Sequence, residues 1–226
     1  MTTRRRIVAA GRPPTPITIA GRRMRDPVHR ESQLAHRYDP HVAPINRLVD
    51  DLREESGRPL PHVAPACGGV HARVLVLCHD PGPPARQMTG SGMLSLENDD
   101  PAAERLHAIV GRAGLTVLDL VPWNIHPWYL ERSTDPPDLD GGLAALDRLL
   151  ALLPELRAVV AHGRDVRNAW QDVTRLRPRS LPTLIETYDP DRRELWTPDA
   201  AERAGREAHL REAYERAAQL LEPDGG

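Results

Sequence analysis

Three short segments hold side chains with an evident chemical use. Leu77-Cys78-His79-Asp80-Pro81-Gly82 sets a carboxylate directly after an apolar run. A carboxylate so placed orients or activates a water, or stabilises a developing cation. The plainer role for Asp80 is to cap the Pro-rich turn that follows it. Cys78-His79-Asp80 also combines three metal-ligating residue types. Neighbours on a strand point to opposite faces, and no second ligand pair stands at a useful spacing, so no metal is expected. Trp123-Asn124-Ile125-His126-Pro127-Trp128-Tyr129 offers an amide that donates and accepts at once, suited to the edge of a base, beside rings that could line a pocket. The plainer roles are an Asn that stabilises its own turn and Trp residues that pack the core. Thr89-Gly90-Ser91-Gly92-Met93-Leu94-Ser95 is small enough for backbone amides to approach a phosphate or a base. There is no Walker motif, and no lysine to complete one.

These segments need elements to hold them. Residues 44–52 have helical spacing, with Ile45, Leu48, Val49 and Leu52 on one face. Residues 72–78 are a short apolar run, as in a buried parallel strand. Asp100-Pro101 opens a helix, with Asp100 as cap and Pro101 in the first turn; Leu106, Ile109 and Val110 form its apolar face and Gly114 ends it. Further strands are predicted over 116–121, 157–161 and 181–187, and helices over 142–153, 164–173 and 199–221. The alternation predicts an α/β domain with a mainly parallel sheet, and ligands of such folds bind beyond the carboxyl ends of the strands. Four loops fall there: 78–95, 122–129, 162–164 and 188–196.

Composition narrows the class. With 226 residues, 40% hydrophobic and 27% charged, the chain is long and apolar enough for a core. No run approaches the roughly 18 apolar residues of a membrane helix. Two cysteines, Cys67 and Cys78, are too few for a disulfide scaffold or a four-thiolate site, so a reducing cytoplasm is expected. All 30 basic residues are Arg, the side chain suited to bidentate phosphate contact, within a net charge of -2. Residues 1–30 hold eight Arg against Asp26 alone, broken by Pro13, Pro14 and Pro16. This reads as a disordered basic arm over residues 1–40, able to touch phosphates or to do nothing, ahead of a folded unit over 41–221 and a flexible tail over 222–226.

In order and spacing the segments resemble the uracil-DNA glycosylase superfamily, most of all a bacterial single-domain branch without an iron–sulfur cluster. The likeness runs over residues 41–221 and is densest in Ala72-Arg73-Val74-Leu75-Val76-Leu77, Pro81-Gly82-Pro83 and Gly90-Ser91-Gly92-Met93-Leu94-Ser95 with Glu97-Asn98-Asp99-Asp100-Pro101. It continues in the segment 123–129 and in Val159-Val160-Ala161-His162-Gly163-Arg164. It implies a three-layer α/β/α sandwich on a four-stranded, mainly parallel sheet, and cleavage of the N-glycosidic bond of a damaged base. Many relatives begin their first motif Gly-Gln-Asp-Pro; Cys78-His79-Asp80-Pro81 overlays it, which puts Asp80 beside the attacking water and His79 near the base. Asn124 matches the Asn that reads the flipped base. Met93 or Leu94 falls where relatives place a Phe against it, and Gly163-Arg164 matches the glycine-containing turn after the third strand. Relatives carry His-Pro-Ser-Pro after the last strand; here Tyr188-Asp189-Pro190-Asp191-Arg192-Arg193 stands there, with Asp189 at the position of the His. Losing one oxyanion donor costs about 10²–10³ in rate.

The reading is a monomeric, cytoplasmic, monofunctional DNA glycosylase that needs no cofactor or metal. Asp80, Asn124 and Asp189 are its catalytic candidates; His79, Met93, Leu94 and Asn124 touch the base. Gly90, Ser91, Gly163, Arg164, Arg192 and Arg193 hold phosphates, and Arg192, Arg193 or Leu195 enters the gap left by the base. Its rivals are a non-catalytic lesion-binding relative and an α/β protein for free nucleotides or other metabolites.

Overall fold

Val74-Leu75-Val76-Leu77 and Ala158-Val159-Val160-Ala161 are apolar at every position, so both faces of each strand must be covered. In the computed structural model they lie side by side at the centre of a sheet with helices on both sides. The structure describes residues 21–86, 90–129, 138–176 and 181–222. In chain order the elements are α1 (Pro27–Ala35), α2 (Ala43–Ser56), β1 (His62–Val63), β2 (Val74–Cys78), β3 (Met93–Leu94), α3 (Pro101–Arg112), β4 (Leu120–Asn124), α4 (Leu139–Ala151), β5 (Ala158–His162), α5 (Arg164–Leu176), β6 (Thr183–Thr187), α6 (Arg192–Leu195) and α7 (Ala200–Gln219).

The main sheet has the order β4-β2-β5-β6 and every pairing in it is parallel. A second, two-stranded sheet pairs β1 with β3, also in parallel. Side-chain parity sorts the core into two layers. Leu75, Leu77, Val121, Trp123, Val159 and Ala161 pack against α2, α4 and α5. Val74, Val76, Leu120, Ala158, Val160 and Ile185 pack against α3 and α7, chiefly through Leu106, Ile109, Leu210 and Tyr214. The protein is a three-layer α/β/α sandwich, as predicted. Among the described residues no helix is long and apolar enough to cross a membrane.

Local chemistry accounts for the helix starts. The Asp100 carboxylate accepts from the N–H groups of Ala102 and Ala103, with Pro101 in the first turn. Two expectations are corrected. The strand predicted at 116–121 lies at Leu120–Asn124, because Thr116 donates from both its amide and its hydroxyl to Asp119 and closes a 3-10 turn over Val117–Asp119 first. β4 is an edge strand, so Pro122 is tolerated within it. The folded part also begins earlier than residue 41. Asp26 caps α1, and Met24 is buried against Ala64 and Met93. Arg23 and His29 both reach the Glu97 carboxylate, at 3.2 and 2.8 Å, whose side chain is 1% exposed. The rest of the expected arm, residues 1–20, and tail residues 223–226 lie outside the described residues.

Candidate functional site

The two central strands diverge in connection: β2 leads to β4 on one side, and β5 leads to β6 on the other. A crevice opens at their carboxyl ends, where open α/β sheets bind ligands. Two cavities occupy it. One, of about 540 Å³, lies between the sheet end and α3 and is lined by Asp80, Leu94, Asn124, Asp189 and Arg193 among others. The other, of about 690 Å³, opens at the start of α5 and is lined by His79, Gly163, Arg164 and Asp189 among others. Asp189 belongs to both.

Parity decides what reaches the smaller cavity. Asn124 has the parity of Leu120 and stands in register with Cys78. Asn124 is only 3% exposed, and its amide nitrogen has no hydrogen-bond partner among the described residues. A buried amide without a partner costs free energy in a site evolved for stability alone. It is a donor held ready at the cavity wall. Trp123, of opposite parity, enters the other core layer, while Trp128 donates to the Ser56 hydroxyl at 2.9 Å and braces the loop.

Asp80 is set against Asn124 by backbone bonds that run on beyond the strands. The N–H of Ile125 donates to the carbonyl of Cys78 and that of His126 to His79, each at 2.9 Å. His79 Nδ1 donates to Asp80 Oδ1 at 2.8 Å, and its ring meets His126 edge-on at 4.8 Å. That bond to Asp80 raises the pKa of His79 against its partial burial. Burial, then the charge of His79, lowers that of His126. Burial pushes the Cys78 thiol well above the usual range, with Asp189 and Asp80 adding to the effect, which disfavours the thiolate.

The segment after β6 is tethered on both sides of Asp189. His162 is 1% exposed and bonds the Tyr188 carbonyl through Nδ1 at 3.0 Å and the Tyr214 hydroxyl through Nε2 at 2.8 Å. A carbonyl only accepts, so Nδ1 carries the proton and Tyr214 donates to Nε2. Burial lowers the pKa of His162, in keeping with this neutral form. Arg105 of α3 donates to the Pro190 carbonyl. Asp189 Oδ1 accepts the Asp191 N–H at 2.8 Å, so the residue closes its own turn while it lines the cavities. His162 and Arg105 had no functional reading in the sequence. For His162 the signal was there: a polar residue with the parity of Ala158 and Val160 at the end of an apolar run.

Asp80, Asn124, Asp189, Leu94 and Arg193 therefore share one cavity, and Gly163, Arg164 and His79 line its neighbour. His79 accordingly stands beside Asp80 on the side away from the Asn124 cavity. It does not reach the cavity where the base was expected to touch it, and three further expectations change. Met93 is fully buried against Met24 and Ala64, so Leu94 alone of the pair faces the cavity. Ser91 is buried, with its hydroxyl 2.6 Å from Asn98 Oδ1, and braces the loop rather than waiting for phosphate. Leu195 packs in the core and is not free to fill a gap in a duplex. Gly90 sits tight against the Pro-rich turn, where any side chain would strike the Pro84 carbonyl. Gly163 has φ +91, a conformation suited to glycine, and lets α5 start directly after β5. The side chain of Arg192 lies outside the described residues. Among the described residues, no group of three or more His, Cys, Asp or Glu could hold a metal ion.

No family model matches the chain, and no curated protein matches it in sequence.

Proposed function

We propose that this protein is a monofunctional DNA glycosylase, a hydrolase of the bond between a damaged base and its sugar, as its resemblance to the uracil-DNA glycosylase superfamily implies. The observation that carries the reading is the buried, unpartnered amide of Asn124 on the same cavity wall as the Asp80 carboxylate. An extruded base enters the cavity and meets the amide edge-on. Asp80 takes the proton of a water as its oxygen adds to the sugar C1′; the glycosidic bond breaks, and its electron pair passes to the base nitrogen. Gly163, Arg164 and Arg193 flank the opening where the DNA backbone passes.

Asp189 favours a second reading, a lesion binder without catalysis. A carboxylate opposes the negative charge that develops on a departing uracil. Abasic-site formation on a panel of oligonucleotides separates the two. The glycosylase reading expects strand-breakable sites on at least one damaged base, lost in Asp80→Asn. It expects slow release of plain uracil, raised by Asp189→His only while Asp80 is present. Salt-dependent binding of damaged duplex with no abasic site on any base supports the second reading instead.

A further inference from the structure

The groups on the cavity wall discriminate between base edges. A carboxamide such as Asn124 satisfies two adjacent positions of an edge, accepting from a ring N–H and donating to the carbonyl next to it. Uracil, xanthine and guanine all present that pair. They differ at the third position: uracil and xanthine carry a second carbonyl, whereas guanine carries an exocyclic amino group. The Asn124 amide nitrogen is buried and without a partner, so it is the fixed point of the edge. Asp189 lines the same cavity with, among the described residues, only Oδ1 engaged, in its own turn, and Asp191 and Glu194 line the cavity with it, beside Arg193. A carboxylate accepts from an amino group and repels a carbonyl.

We infer that the cavity selects a base with a guanine edge, and that the base released is a guanine damaged away from that edge, of which N7-alkylated guanine is the type. This rests on the glycosylase reading and names its substrate class. The chemistry suits a site with a carboxylate where an anion would need a donor. When water adds to C1′ and the bond to N9 breaks, the electron pair neutralises the positive charge of the alkylated ring. The base departs neutral, the proton of the water goes to Asp80, and no oxyanion forms. Intact guanine lacks that charge and holds its sugar. The cavity, at about 540 Å³, has room for a two-ring base, with Leu94, Ala102 and Ala103 on its wall.

The test uses the full chain and oligonucleotides carrying one N7-methylguanine, one xanthine or one uracil, with free N7-methylguanine and free xanthine titrated in parallel by calorimetry. Release of N7-methylguanine is expected to exceed that of xanthine by about a hundredfold. Asp189→Asn keeps the turn bond and offers an N–H to the cavity, so it is expected to reverse the order. Xanthine or uracil released as fast as N7-methylguanine overturns the inference and leaves the glycosylase reading standing. Free N7-methylguanine bound in preference to xanthine, with no base released from any oligonucleotide, supports the edge selection and overturns the glycosylase reading. Neither release nor preferential binding overturns both.

Discussion

At the scale of single residues, the Asn124 amide nitrogen stands out as a buried donor that the described residues do not use. The Asn124 amide nitrogen has no partner among the described residues, and burying its N–H that way is unfavourable by about 1–3 kcal/mol. Asn124→Ala is therefore expected to leave the melting temperature unchanged or higher, while discrimination among bases collapses and affinity for undamaged DNA stays the same. A clear fall in melting temperature, with base preference intact, would show that Asn124 is a structural turn residue. Asp80 differs, since it already holds His79 at 2.8 Å. Its carboxylate is oriented before any ligand arrives, which lowers the reorganisation needed to position a water.

At the scale of elements, the segment after β6 is where position depends on partners distant in sequence. His162 ends β5 and reaches Tyr188, 26 residues on, and Tyr214 in α7, 52 residues on. Tyr214→Phe removes the only hydroxyl donating to Nε2 among the described residues and strands a buried acceptor. The expected cost is about 1–3 kcal/mol, read as a lowered urea midpoint with an unchanged slope. Because the His162 ring that holds the Tyr188 carbonyl loses its anchor on the other side, the ratio of rates on two bases should shift as well, which a purely structural tyrosine would not cause. Arg105 acts from the opposite side on Pro190, so Asp189 is gripped between α3 and β5.

At the scale of the molecule, residues 21–42, ahead of α2, are part of the fold. Removing residues 1–30 takes Met24 from its pocket and Arg23 and His29 from a carboxylate that is 1% exposed. Leaving a buried charge unpaired costs about 3–5 kcal/mol, so melting should fall by roughly 10 °C relative to a chain that begins at Gly21. Equal melting of the two would show that the segment is only draped on the surface. Acid should also unfold the protein early. Burial lowers the pKa of His62, His126 and His162 from an ordinary value of 6.5, with Arg53 adding to it at His62 and His79 at His126. As pH falls below 6.5 the unfolded chain takes up protons that these folded imidazoles refuse, so stability drops until pH passes their lowered values. His79, raised by Asp80, acts oppositely: its contribution is present below 6.5 and is lost as pH climbs through the raised value. Three groups against one predict calorimetric melting that declines from pH 7 to 5, and a flat profile over that range would contradict it.

The alternation of apolar strands and amphipathic helices, the Asp100 cap, and the placing of Asp80 and Asn124 at strand ends were legible in the sequence. Each depends on residues within a few positions of one another, where propensity and period act directly. Strand limits were less so, since the Thr116–Asp119 turn displaced β4 by four residues at its start. What the sequence left open was decided by contacts between distant segments. Met93 and Leu94 are equivalent as letters, and only the pairing of β3 with β1 sends Met93 toward Met24 and Leu94 toward the cavity. Ser91 looked free until Asn98 and the Pro84 turn closed around it. The arm looked disordered because its charges had no visible partners, yet Glu97 lies 68 and 74 residues away from the two that hold it. Asp189 reaches both cavities because His162 and Arg105 hold its neighbours. Local sequence specifies which element forms, whereas the direction in which one of its side chains points is settled by what packs or bonds against it from elsewhere in the chain.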